Sequence, residues 1–362
     1  MVGYLNMQRL RRQRFTAVGL GLAAMALFVA ACSSSSSGGG GSSGSGLSGT
    51  LNGSGSTFQL TFQQTAIQNF KSIEPNLTVN YGGGGSGKGR TDLASGVVQY
   101  AGSDTAPIPS DEVSSFKGKT VLYFPVLIGP ITISYNLSGV NNLKLDGPVI
   151  ADIFQANITK WNDPKIKALN PGVNLPSTAI TIARRSDSSG TTQNFSEFLV
   201  ESAKNWKLGS DSTIKWPATS RGGNGNGGVA QIVKSTDGAV GYVDYADAKA
   251  SGLSFASVKN KDGKYIAPST QSATAAADNV TVKDDLTFSA IWASGPDSYP
   301  ITYQSWVLVY QSQSSSGTAK NLKSYLGYLL GDGQQLLPQL GYAPLPSSLD
   351  QQAKSQLSKV GT

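Results

Sequence analysis

Two arginines, an aspartate and a run of small hydroxyl residues fall together in TIARRSDSSGTTQNF, residues 181–195. Such a group can hold an anion. A helix that starts on Ser-Gly-Thr leaves its first backbone N–H groups unpaired and turns its positive dipole end outward. The hydroxyls of Ser189 and Thr191 can add donors, and Arg184 or Arg185 can bring a planar fork of N–H groups to the same point. Asp187 is near enough in sequence to fix one guanidinium. The same letters also describe a simple Ser/Thr helix cap beside a surface arginine, so the rest of the chain must decide.

Two other glycine-rich turns offer comparable chemistry. GSGSTF, residues 53–58, places the N–H groups of Thr57 and Phe58 at the start of a helix expected over 59–71, with Phe62, Ala66, Ile67 and Phe70 on its apolar face. Further on, a strand over 77–81 runs into GGGGSGKGR, where Ser86 is a donor and Lys88 and Arg90 are either local positive charge or solvated surface. Residues 82–88 fit G-x-x-x-x-G-K, but Gly89 stands where a nucleotide-binding loop needs Ser or Thr for magnesium. A third strand, over 99–104, ends on Asp104. A carboxylate there repels a fully deprotonated anion but accepts a hydrogen bond from one that keeps a proton; it can equally be a turn residue before Pro107.

Composition narrows the choice. The chain has no histidine, which removes Ser-His-Asp and Cys-His hydrolysis and nearly all zinc chemistry. Residues 1–32 carry Arg9, Arg11, Arg12 and Arg14, then an apolar run over 17–31, then Cys32, the only cysteine. That is an export signal, too short for a membrane span, and its small residues before Cys32 fit a lipidation site. The adjacent Arg11 and Arg12 suggest twin-arginine export, although Phe15 lies one place late for that pattern. Residues 33–46 are all Ser and Gly, a flexible tether. Removing the four leader arginines from 29 basic residues leaves 25 against 22 acidic ones, so the +7 of the full chain falls to a mild +3. No nucleic-acid binding is expected from that balance.

The positioning elements read as strands alternating with helices, hence α/β with mostly parallel sheets. Residues 121–135 are an apolar run broken by Pro125 and Pro130, expected as buried strands at a domain crossing. Helices are expected near 150–154, 158–164, 319–330 and 351–357, with a helix beginning at 229–233 after the glycine-rich 221–228. A strand is expected at 239–243, and a second apolar return at 299–310.

Taken together these segments resemble the phosphate-binding lipoproteins of bacterial high-affinity phosphate ABC importers, which are type II periplasmic binding proteins. The resemblance rests on GSGSTF (53–58), GSGKG (85–89), YAGSDTAP (100–107), FPVLIGPITISYN (124–136), residues 153–176, RRSDSSGTTQNF (184–195), residues 223–248 and YPITYQSWVLV (299–309). It implies a two-lobed fold of mixed, mostly parallel sheets flanked by helices, with the ligand in the interlobe cleft. Lobe I would comprise 48–134 and 301–362, lobe II 135–300, and the hinges 131–136 and 299–303. By position, it implies that Thr57, Phe58, Ser86, Ser189, Gly190 and Thr191 donate to phosphate, that Arg185 is the charged fork held by Asp187, and that Asp104 accepts the hydrogen bond from the phosphate's own proton. It also implies anchoring through lipidated Cys32, a permease in the membrane as partner, no cofactor, no metal and no catalysis; a monomer is expected. Three positions depart from the family's pattern: Gln59 in place of a common proline, Lys88 in place of a small residue, and Asn224 in place of a common lysine. The rival readings are a secreted phosphoesterase, for which no nucleophile or metal cluster stands out, and a binding protein for sulfate or molybdate, against which Asp104 argues.

Overall fold

The computed structural model describes residues 46–278 and 280–362. The leader, Cys32 and all but the last residue of the tether lie outside the described residues.

The first part of the chain alternates as expected: β1 (Gly49–Gly55), α1 (Leu60–Ile73), β2 (Leu77–Gly82), α2 (Ser86–Ala94) and β3 (Tyr100–Ser103). β1 pairs in parallel with both β2 and β3, so the three strands end side by side at the turns leading to α1, to α2 and to Asp104. β1 and β3 approach closely at Gly55, where a Cβ would lie 2.2 Å from the Gly102 carbonyl oxygen. α1 buries Phe62, Ala66 and Phe70 against this sheet.

β4 (Val121–Tyr135) is a single fifteen-residue strand, not the separate strands expected from its two prolines. Proline cannot donate to a ladder and is tolerated at irregularities. Pro125 lies opposite the register shift between Ser305 and Trp306, and Pro130 sits where β4 changes partner. All but its first residue are buried, which accounts for the nearly unbroken apolar sequence.

Beyond β4 come β5 (Lys144–Leu145), α3 (Gly147–Phe154), α4 (Pro164–Leu169), β6 (Thr181–Arg185), α5 (Gly190–Ser202), β7 (Arg221–Gly223), α6 (Gly225–Ser235), β8 (Ala239–Asp244) and α7 (Tyr245–Ala250). The short β9 (Ser254–Phe255), β10 (Ser257–Lys259), β11 (Tyr265–Ile266) and α8 (Thr270–Ala277) precede β12 (Thr302–Tyr310). α9 (Ser316–Leu330), α10 (Leu337–Leu340) and α11 (Ser347–Gln356) follow it.

One large sheet runs β2-β1-β3-β12-β4-β8-β6-β7, with β9 also on β4; β11-β10-β5 form a small separate sheet. The parallel pairings lie toward the two ends of the large sheet, whereas β12 and β8 run antiparallel to β4 at its centre. The fold is thus a two-lobed mixed α/β architecture in which β4 serves both halves, pairing with β12 along residues 121–130 and with β8 along 131–135.

Candidate anion-binding site

The binding residues nominated from the sequence lie at the carboxyl ends of strands, in the turns that follow them, or at the starts of the next helices. β6 ends on Arg185, whose backbone N–H donates to the Tyr242 hydroxyl at 3.0 Å. Tyr242 also bonds the Thr192 hydroxyl at 2.7 Å and stacks on Phe195, so it ties the strand end to α5. Ser189 caps α5, its Oγ accepting from the Thr192 N–H at 3.1 Å. Gly190 and Thr191 then form the first turn.

Of the two arginines, Arg185 is the buried one, 3 % exposed; Arg184 is half-buried and bonds Ser220 and the Arg185 carbonyl. Asp187 grips Arg185 from two sides: Nε donates to Oδ1 at 2.8 Å and Nη2 to Oδ2. Nη1 remains for the site, 3.3 Å from Thr191 Oγ1 and 3.4 Å from Asn226 Oδ1. Asp187 in turn accepts from the Gly225 N–H at 3.1 Å.

Opposite this cluster stand Ser86, the first residue of α2, and Asp104, just past β3. Ser86 Oγ donates to Asp104 Oδ2 at 3.2 Å and accepts from the Asp104 N–H at 3.1 Å. The two clusters meet at Gly190: a Cβ there would lie 2.5 Å from Ser86 Oγ and 2.9 Å from Asp104 Oδ2. Further bonds hold this contact. Asn194 Nδ2 donates to the Asp104 carbonyl at 2.7 Å, and the Gly87 N–H to the Ser188 carbonyl at 3.2 Å.

The turn before α1 completes the ring. Thr57 Oγ1 accepts from the Asn226 N–H and side-chain amide, both at 3.3 Å. The Phe58 N–H lies 3.1 Å from Ser56 Oγ, and α1 itself begins only at Leu60, so Thr57 and Phe58 belong to the turn rather than to the helix. The Phe58 ring stacks on Tyr303 at 4.0 Å. Tyr303 is buried, and its hydroxyl has no hydrogen-bond partner among the described residues. A cleft of about 450 Å³ opens over Thr57, Gly83, Gly84, Asn224, Asn226 and Asp247.

Charge here is finely balanced. Burial raises the Asp104 carboxyl; hydrogen bonds from Ser305, Ser56 and Ser86 and the charge of Arg185 oppose this, and the net direction is upward. Burial would also raise Asp187, but the hydrogen bonds and charge of Arg185 and the Gly225 N–H outweigh it, so Asp187 stays below the usual range. Burial would lower Arg185, and Asp187 reverses that, keeping the guanidinium charged. Arg185 therefore lies among several carboxyls, Asp104 and Asp187 with Asp244 and Asp247 also within reach of its charge, so oriented N–H and O–H dipoles must supply much of any attraction for an anion. A tetrahedral oxyanion suits such a ring, with donors around it and one carboxylate to accept a proton it retains.

The structure also decides the readings left open in the glycine-rich segments. Lys88 pairs with Asp92 on the surface and Arg90 is fully buried against Glu112, with both bonds at 2.6 Å, so neither charge faces the site. Gly89 lies against β1, where a Cβ would come within 2.7 Å of Gly55 Cα; the nucleotide-loop hydroxyl has no room. α6 begins at Gly225, four residues before the expected start, and this brings Asn226 into its first turn. Glycine disfavours helix by about 1 kcal/mol, so the segment reads as loop until the Asn226 contacts are known.

Asn226, Ser305 and Gln59 were not nominated as site residues. Asn226 is fully buried and joins Thr57 to Thr191 and Arg185. Ser305 Oγ donates to Asp104 Oδ1 across about two hundred residues of chain. No local pattern marks contacts of that range.

A family model described as a PBP superfamily domain matches residues 40–332. Phosphate-binding protein PstS of Pasteurella multocida is 34 % identical over 313 residues, covering 85 % of this chain and 89 % of the relative. Phosphate-binding protein PstS 3 of Mycobacterium leprae is 35 % identical over 320 residues, 85 % of each. Among solved structures, a phosphate-binding protein from Stenotrophomonas maltophilia aligns with a TM-score of 0.68 at 18 % identity, over 85 % of this chain and 93 % of that one, a likeness of fold. The fold, the strand-end cradle and these relatives agree: the chain belongs to the PBP superfamily, in the family of the phosphate-binding proteins PstS.

Proposed function

We propose that this protein binds inorganic phosphate between its lobes and delivers it to the membrane permease of an ABC importer. The observation that carries the reading is a buried carboxylate, Asp104, set among donors that face an anion: the first turns of α2 and α5, the turn at Thr57 and Phe58, and the Arg185 fork. Phosphate keeps a proton near neutral pH and can donate a hydrogen bond through it to Asp104. Sulfate carries none, and would set an oxygen against the carboxylate with nothing between them. The lobes of this reading are 48–134 with 301–362, and 135–300, hinged where the chain crosses at 131–136 and 299–303. Closure buries the ligand, and charge-assisted hydrogen bonds replace its hydration.

On this reading the chain works outside the cytoplasm as a monomer without cofactor or metal, tethered by residues 33–46 to a lipid on Cys32. Cys32→Ser should move it from the membrane fraction to the soluble extracytoplasmic fraction; retention in the membrane fraction would remove the anchor from the account.

Uptake of labelled phosphate tests the transport role. Cells deleted for this chain should lose high-affinity uptake at low external phosphate and regain it on complementation; undiminished uptake in the deletion would refute the role. Asp104→Asn should lower the preference for phosphate over sulfate by about tenfold, the worth of one mismatched buried hydrogen bond. Competition binding measures this, and an unchanged ratio would remove Asp104 as the proton acceptor.

A further inference from the structure

Behind Asp104, away from the cleft, runs a buried chain of polar side chains. The Tyr325 hydroxyl donates to Gln63 Oε1 at 2.6 Å, Gln63 Nε2 donates to Gln59 Oε1 at 2.9 Å, and Gln59 Nε2 donates to Ser305 Oγ at 2.7 Å. Ser305 Oγ then donates to Asp104 Oδ1. Tyr325, Gln63, Gln59 and Ser305 are fully buried, and Asp104 is 2 % exposed.

The direction of this chain is set at one point. Gln59 Nε2 also donates to the Trp306 carbonyl at 2.7 Å, and a backbone carbonyl can only accept. That fixes the Gln59 amide: its nitrogen faces β12 and its oxygen faces Gln63. Gln63 must therefore present its own nitrogen to Gln59, which leaves its oxygen to the Tyr325 hydroxyl. Ser305, already accepting from Gln59, has a single proton to give. Its alternatives are Asp104 Oδ1 and the Ser103 carbonyl at 3.3 Å, and the carboxylate contact is the closer. The arrangement sits at the register shift in β12 between Ser305 and Trp306.

We propose that Gln59 and Ser305 are positioning residues for Asp104: Gln59 holds the Ser305 hydroxyl, which occupies Oδ1 and leaves Oδ2 toward Ser86 and Gly190, and so they set the preference for an anion that carries a proton. The proposal rests on the phosphate reading for its ligand, and on the hydrogen-bond chain alone for the state of Asp104. The chain depends on an amide at position 59, whose nitrogen donates to both Ser305 and Trp306 while its oxygen accepts from Gln63.

The consequence for pH follows from the groups that face Asp104. Arg185 from β6, Ser305 from β12, Ser86 from α2 and Ser56 favour its ionised form; burial opposes them. Tyr81, Tyr303 and Tyr342 lie within its electrostatic reach and, raised by burial, are neutral near neutral pH. Removing the Ser305 donor leaves burial less opposed, so Asp104 holds its proton to higher pH. A protonated Asp104 donates rather than accepts, and then suits an anion without a proton.

The test compares full-length wild type, Ser305→Ala and Gln59→Met. Ser305→Ala leaves Gln59 bonded to Trp306, and Gln59→Met keeps similar bulk, so one substitution backs up the other if either fails to fold. Calorimetry with inorganic phosphate and with sulfate from mildly acid to mildly alkaline pH should show the phosphate-to-sulfate preference reduced by roughly three- to tenfold, the worth of one hydrogen bond. The preference should also set in at higher pH than in wild type. In ligand-free protein, the infrared band of the protonated Asp104 carboxyl, identified by its loss in Asp104→Asn, should persist to higher pH in both variants. Folded variants with wild-type selectivity and a wild-type carboxyl titration would overturn the proposal. Wild type that binds no phosphate would sink the functional reading instead, and the infrared titration would still decide the role of Ser305 and Gln59.

Discussion

Arg185→Met should weaken phosphate binding about a thousandfold, a loss of roughly 4 kcal/mol, within the range for breaking one side of a buried ion pair. Two effects add. The ligand loses the Nη1 donor beside Thr191 and Asn226, and Asp187 loses both bonds that hold it. Asp187 would keep the Gly225 N–H, and its uncompensated charge would then repel the anion. The pH dependence of stability should change sign with it. In wild type, Asp187 is depressed, so its contribution is present above the ordinary aspartate pKa and is lost as pH falls through its lower folded value. In the variant, burial without a cation raises that carboxyl, and its contribution is lost as pH rises. Calorimetric affinity and thermal melts across pH measure both, and near-normal affinity would show that Arg185 is not the fork.

Gly190→Ala should cost about a hundredfold in affinity, near the upper end of overpacking penalties. The added carbon would lie 2.5 Å from Ser86 Oγ and 2.7 Å from Asp104 Cβ, so α5 could not approach α2 and the end of β3 as it does here. Glycine is also poor in a helix, and alanine in the first turn of α5 should not weaken the helix itself. The expected signature is therefore lost affinity with an undiminished melting temperature. Gly317→Ala, in the first turn of α9, is the control, since the nearest atom to a Cβ there lies 3.7 Å away, an ordinary contact. Equal affinities for the two variants would mean that the Gly190 contact does not govern binding.

The sequence made most of the cradle legible because its parts are local. Arg185, Asp187, Ser189, Gly190 and Thr191 sit within one strand-turn-helix, and that spacing alone implies donors at a helix start. The partner of Arg185 was readable two residues away; its contact with Asn226 was not, because that depends on how β6 and β7 align. Pro125 and Pro130 suggested interruptions, yet β4 is continuous, since a bulge and a change of partner absorb them. Arg90 illustrates the opposite failure. A basic residue beside glycines reads as surface charge, but Glu112 draws it into the interior. The support behind Asp104 was least visible, because Ser305 and Gln59 are ordinary letters whose meaning comes from burial and from β12 passing beside β3.

The most direct measurement is calorimetric titration of the ligand-stripped protein with phosphate and then with sulfate near neutral pH. Tight one-to-one binding of phosphate with no heat from sulfate is the predicted result, because donors surround the anion while Asp104 requires a proton from it. Comparable binding of sulfate would contradict the role of Asp104, and absence of phosphate binding would contradict the assignment of the cradle itself.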